Sequence, residues 1–86
     1  MRIYKYHIAV DDMQEVRMPT GAEILCVQIQ GMEPFVWARV DPDAGLVKRT
    51  FRWRGTGHPC DCVGQYVGTV QMRGGLVFHL FVDREP

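Results

Sequence analysis

The sequence predicts an all-β fold, a small antiparallel sandwich or partly open barrel of about seven strands. Three observations predict it. Short stretches alternate apolar and polar residues with a period of two. Turn-forming Gly, Pro and Asp recur between them, roughly every 8–12 residues. Helical spacing is almost absent, and only residues 61–65 leave room for a helical turn.

The elements follow in order. Ile3 to Ile8 alternates aromatic and polar residues and reads as the first strand, closed by the turn signal Asp11-Asp12. Gln14 to Met18 gives a second short strand with Val16 and Met18 on one face, and Pro19-Thr20-Gly21 ends it. Ala22 to Gln30 has the clearest two-residue period. Strict alternation puts Leu25, Val27 and Ile29 on one face, and Ile24, Cys26, Gln28 and Gln30 on the other. Gly31 to Pro34 is a turn. Phe35 to Val40 is mostly apolar, which predicts a central strand.

Asp41-Pro42-Asp43-Ala44-Gly45 is a strong turn sequence. Leu46 to Arg54 alternates again, with Val47, Phe51 and Trp53 on one face and Lys48, Thr50, Arg52 and Arg54 on the other. The Gly- and Cys-rich loop from Gly55 to Cys62 follows. Tyr66 to Met72 is a strand, Arg73-Gly74-Gly75 a tight hairpin turn, and Leu76 to Val82 the last strand. Both faces of that last strand read as at least half buried.

The 86 residues make one domain, 1–86, with a single small core. A homodimer would relieve the shortage of core. Formal net charge is zero, but residues 1–43 carry −3 and residues 44–86 carry +3. That balance argues against a general nucleic-acid binder, which shows a basic excess. Met1 to Tyr6 lacks an apolar h-region, so no signal peptide is expected. No apolar run approaches the roughly 20 residues of a membrane-spanning helix. Three cysteines, two of them separated by a single residue, predict a reduced cytoplasmic protein.

The chemistry-bearing residues concentrate in Gly55-Thr56-Gly57-His58-Pro59-Cys60-Asp61-Cys62. His58, Cys60 and Cys62 are metal-ligand types. Zinc needs four ligands, though, and Cys-x-Cys is an atypical half-site; Cys26, His7 or His79 would have to complete it through the fold. The prevailing expectation is no metal and no cofactor, with the cysteines packing as small apolar residues. A Cys–His dyad lacks any visible orienting group or oxyanion site, so no enzyme is predicted. The glycines offer backbone N–H groups to an anion beside Arg54 and His58, but without the Gly-Lys-Ser/Thr ending of a phosphate loop.

Two surfaces remain as candidates. The first is basic: Lys48, Arg52 and Arg54 with His58, a pattern used by nucleic-acid or nucleotide binders. The second is acidic: Asp11, Asp12, Glu15, Asp41 and Asp43 would form an anionic patch if the fold gathered them. Such a patch can occupy a protein surface that otherwise holds nucleic-acid phosphates.

The segments Met18-Pro19-Thr20-Gly21-Ala22-Glu23-Ile24-Leu25-Cys26-Val27-Gln28, Trp37-Ala38-Arg39-Val40-Asp41-Pro42, Gly55-Thr56-Gly57-His58-Pro59, Tyr66-Val67-Gly68-Thr69-Val70 and Gly75-Leu76-Val77-Phe78-His79-Leu80-Phe81 carry a resemblance. With Ile3-Tyr4-Lys5-Tyr6 they resemble a family of short phage and prophage proteins known only as a domain of unknown function. The resemblance implies a phage or prophage origin and a bacterial host cytoplasm, and it brings no established activity to carry over to this chain. His58 and His79 match the pattern; Cys60 and Cys62 do not. His58 and His79 would then be a hydrogen-bonding pair that fastens the loop to the last strand, or the mark of a site.

The expected function is therefore a non-enzymatic accessory protein that binds and inhibits a host protein complex. An anti-CRISPR-type inhibitor of a CRISPR effector, occluding a nucleic-acid-binding surface through Asp11, Asp12, Glu15, Asp41 and Asp43, is its most concrete form. The alternative is a small nucleic-acid or nucleotide-binding module using strand 48–54 and the Gly55–His58 loop.

Overall fold

A computed structural model of the chain describes residues 1–61 and 64–86. Its seven strands are β1 (Arg2–His7), β2 (Met13–Pro19), β3 (Glu23–Gln30), β4 (Glu33–Val40), β5 (Leu46–Gly55), β6 (Gln65–Met72) and β7 (Leu76–Val82). They form a three-stranded sheet, β1-β4-β3, and a four-stranded sheet, β2-β5-β7-β6. Every pairing is antiparallel. The two sheets face each other as an open sandwich and do not close into a barrel, so the all-β expectation holds in its sandwich form.

Alternation sorts each strand between core and outside. From β4, Val36, Ala38 and Val40 point inward; from β5, Phe51 and Trp53; from β7, Leu80 and Val82. Full burial of Phe51 contributes about 1.5–3 kcal/mol over an exposed ring. The crossover from β1 to β2 is anchored at Ala9. Its carbonyl accepts from Trp53 Nε1 at 2.9 Å and from the Gln14 amide, whose Oε1 accepts from Ala9 N at 2.8 Å. Ile8 beside it is fully buried. The β4–β5 turn is an Asx turn, in which Asp41 Oδ1 accepts from Asp43 N at 3.0 Å.

The clearest period-two strand breaks its own period. Ile24 pairs with Ala38 and Cys26 with Trp37, so Leu25 is an extra residue in a β-bulge. The bulge switches parity: Ala22 and Ile24 are buried before it, Val27 after it. Leu25 is exposed and does not share a face with Val27 and Ile29, and Ile24 sits inside with the core. A matching bulge in β6 makes Val67 the extra residue between Tyr66 and Gly68. The two irregular strands meet across the sandwich. A side chain at Gly68 would lie 2.8 Å from Val27 Cγ1, so only glycine permits β6 to approach β3 this closely.

A second departure is Arg49. It shares the inner face of β5 with Phe51 and Trp53 and is only 7% exposed. Its Nη1 donates to Ala22 O at 3.1 Å and lies 3.7 Å from Glu85 of the C-terminal tail. Among the described residues its Nε has no partner. The short helical turn is Arg73–Gly75, at the β6–β7 hairpin, where Gly74 and Gly75 both adopt positive φ. It was expected at 61–65; two residues of that stretch lie outside the described ones, and Gln65 already belongs to β6.

Candidate functional site

β4 has apolar residues at both parities. One set faces the core. The other, Phe35 and Trp37, faces outward from the centre of the three-stranded sheet, where no element packs over it among the described residues. The register places His7 and Gln28 beside Phe35, Lys5 and Cys26 beside Trp37, and Ile3 and Glu23 beside Arg39. The rings of Phe35 and Trp37 are 6.3 Å apart, and His7 meets Phe35 edge-on at 5.4 Å. Lys5 Nζ sits 4.7 Å from the Phe35 centroid and donates to Gln30 Oε1 at 2.8 Å. Arg39 pairs with Glu23, and His7 Nε2 lies 3.4 Å from Glu33. Cations and carboxylates on this face thus balance.

β1 borders the face at the free edge of the sheet. Arg2, Ile3, Tyr4, Lys5 and His7 are all exposed, and Ile3 is 62% so. Tyr6 is the exception; burial pushes its phenol pKa up, and neighbouring Tyr4 adds to the rise. Neither Phe35 nor Trp37 was a candidate from sequence. An apolar strand with no alternation reads as covered on both sides, and here only one side is.

The basic strand presents a second face. Arg52 pairs with Met13 on one side and Phe81 on the other, with Tyr66 beyond, so two aromatic rings share the outer surface with the guanidinium. Tyr66 and Phe81 lie 5.6 Å apart. Arg52 makes a two-pronged pair with Asp83, both bonds 3.0 Å, and this hydrogen bonding holds the Asp83 carboxyl below the usual carboxylate range. Arg54 Nη1 donates to Trp53 O at 2.7 Å and Asp12 O at 3.2 Å, and its Nη2 lies 3.9 Å from Asp61. Lys48 is exposed beside Arg17, at the far end of β5.

The loop after β5 is fastened by His79 rather than by a His58–His79 pair. Thr56 Oγ1 lies 2.8 Å from His79 Nε2, and Thr69 Oγ1 lies 2.8 Å from Nδ1, with Tyr66 Oη bonded to Thr69 in turn. With the proton on Nε2, each threonine hydroxyl both donates and accepts, Tyr66 Oη donates, and the run ends on Val77 O, 3.5 Å from Thr56 Oγ1. His58 is exposed and its ring lies over Gly55, where an added Cβ would meet Nδ1 at 2.9 Å. A hollow of about 230 Å³ gathers Arg54, His58, Cys60, His79 and Phe81. Two of the four basic-face candidates, Arg54 and His58, therefore come together, whereas Lys48 does not join them. Cys62 lies outside the described residues; among those described, no three His, Cys, Asp or Glu side chains converge on a common point.

The acidic candidates do not form one patch. Asp11 and Asp12 precede β2, and Glu15 sits early in it. Asp41 and Asp43 occupy the β4–β5 turn, whose Gly45 O accepts from Thr20 N just beyond the other end of β2. Met13 and Pro19 are six residues apart, so the two groups are separated by about 20 Å of strand. No helix among the described residues is long and apolar enough to cross a membrane.

Comparison with curated proteins and with solved structures finds no match for either. The family model described as Domain of unknown function (DUF7352) matches residues 1–86, and the chain belongs to that family.

Proposed function

We propose that this protein is a non-enzymatic accessory protein of phage or prophage origin that binds and inhibits a host protein complex. The observation that carries the binding is the uncovered pair Phe35 and Trp37 at the centre of the β1-β4-β3 sheet. Aromatic anchors of this kind dominate protein interfaces, where a few well-packed rings supply most of the affinity. The balanced charge of the face favours a protein partner over a phosphate backbone. Resemblance to phage and prophage sequences supports a host-directed partner, and a CRISPR effector is its most concrete form. Steric occlusion of that partner's nucleic-acid-binding surface is the mechanism. Asp11, Asp12 and Glu15 at one end and Asp41 and Asp43 at the other would then meet separate cationic points on the partner.

The test is a tagged pull-down from lysate of a bacterium with active defence systems, read by mass spectrometry, with wild type and Trp37→Ala in parallel. Stoichiometric recovery of a host complex by wild type, lost in a folded Trp37→Ala variant, supports the reading. Recovery unchanged by Trp37→Ala removes this face, and a clean bait removes the inhibitor class.

One observation favours a second reading. Strand alternation buries Phe51 and Trp53 away from the basic face of β5, yet Phe81 and Tyr66 restore aromatic rings beside Arg52. This is the arrangement of a single-stranded nucleic-acid or nucleotide surface. It requires oligonucleotide affinity that falls steeply with salt, and a flat response dismisses it.

A further inference from the structure

At one end of the sandwich the β3–β4 and β6–β7 hairpins stand apart and leave a cleft of about 510 Å³. Its walls are Val10, Ile29, Met32, Met72, Leu76 and Phe78. Such a volume falls within the roughly 300–1,000 Å³ of small-molecule sites. Met32 is 63% exposed and Leu76 55% exposed, so large apolar side chains stand in water at its mouth. Single exposed apolar residues are ordinary, but several around one concavity mark a binding site.

Two features narrow the occupant. Both ladders end here in turns, at the pairs Gln30–Glu33 and Met72–Leu76. A peptide backbone laid beyond these last pairs, against the apolar side chains of the cleft, would leave its N–H and C=O groups unpaired. An alkyl chain has no such groups, and the two methionines adapt to a flexible shape. The second feature is charge. Arg73 lies on the rim beside Gln71, and among the described residues it has no ion-pair partner. A guanidinium is built for two-pronged contact with a carboxylate.

We propose that this cleft binds a straight-chain carboxylate, with the alkyl tail between Met32, Leu76 and Phe78 and the carboxylate on Arg73. The site is separate from the Trp37 face, so it stands or falls without the inhibitor reading.

The experiment titrates the full chain with decanoate and with decanol, each below its micellar or solubility limit, following methionine methyl resonances by NMR. Saturable one-to-one shifts at Met32 and Met72, with Met13 unmoved, are expected for decanoate. Arg73→Gln should weaken decanoate about fivefold while leaving decanol unchanged, the share of one charge pair. Leu76→Asp, at an exposed position, should abolish both. Absence of saturable decanoate shifts overturns the site. Equal decanoate affinity in wild type and Arg73→Gln overturns the carboxylate assignment.

Discussion

Arg49 lies inside the sandwich, and among the described residues the one carboxylate that reaches it, 3.7 Å away, is that of Glu85 from the C-terminal tail. Glu85 Oε2 also accepts from Gly21 N at 2.8 Å, so one side chain ties the tail to both β5 and the β2–β3 turn. Removing one partner of a buried pair costs more than replacing the pair's charge with apolar bulk. Glu85→Ala should therefore destabilise by about 1–3 kcal/mol, discounted because Glu85 is partly exposed. Arg49→Met should cost less than Glu85→Ala. Urea denaturation of the two variants decides the order, and the reverse order would show that Arg49 is held mainly by the Ala22 carbonyl.

The seam between β3 and β6 predicts a coupled pair of substitutions. Gly68→Ala places a methyl 2.8 Å from Val27 Cγ1 and should cost about 1–3 kcal/mol by overpacking. Val27→Ala alone opens a cavity and is also destabilising. The double variant should recover part of the loss, so the double-mutant cycle gives a favourable interaction energy. Strict additivity would mean that the seam is not in contact.

Acid should weaken the protein through Asp83. Hydrogen bonding from Arg52 lowers its pKa below the ordinary 3.8, with partial burial opposing and the Arg52 charge reinforcing. The folded pKa lies below the unfolded one, so this stabilisation is complete above about pH 4 and fades as pH falls through the folded value. Asp83→Asn should remove that part of the acid dependence, making stability flatter below pH 4. The carboxyl resonance of Asp83 should titrate higher in Arg52→Ala than in wild type.

His79→Ala should loosen the loop that begins at Gly55. It removes the partner of both Thr56 and Thr69, each lost bond being worth about 0.5–1.5 kcal/mol. Faster hydrogen exchange at the amides of Thr56 and His58 is the expected sign. His58→Ala, which takes away only an exposed ring, should leave that exchange nearly unchanged.

The fold class, the strand order along the chain and the central place of β4 were legible because each depends on local pattern: alternation, turn residues, and an apolar run. The faces of β5 and β7 were legible for the same reason. Leu25 was misassigned because one inserted residue reverses parity, and no composition signal marks it. Arg49 stands at the same parity as Phe51 and Trp53, so its burial could have been noticed, but the carboxylate that makes burial tolerable arrives from 36 positions later. Phe35 and Trp37 look like core until the number of layers is known. The five acidic candidates failed to gather because β2 holds two turns at its opposite ends, a matter of pairing rather than of residue type.

The bulged seam also sets the borders of the two sheets apart from one another. Each sheet has two borders, and the close approach of Gly68 to Val27 sets one border of each, β6 and β3, against the other. The other two borders are β1 and β2. A strand added at β1 would lengthen the three-stranded sheet and one added at β2 the four-stranded sheet, so the two borders extend the fold independently.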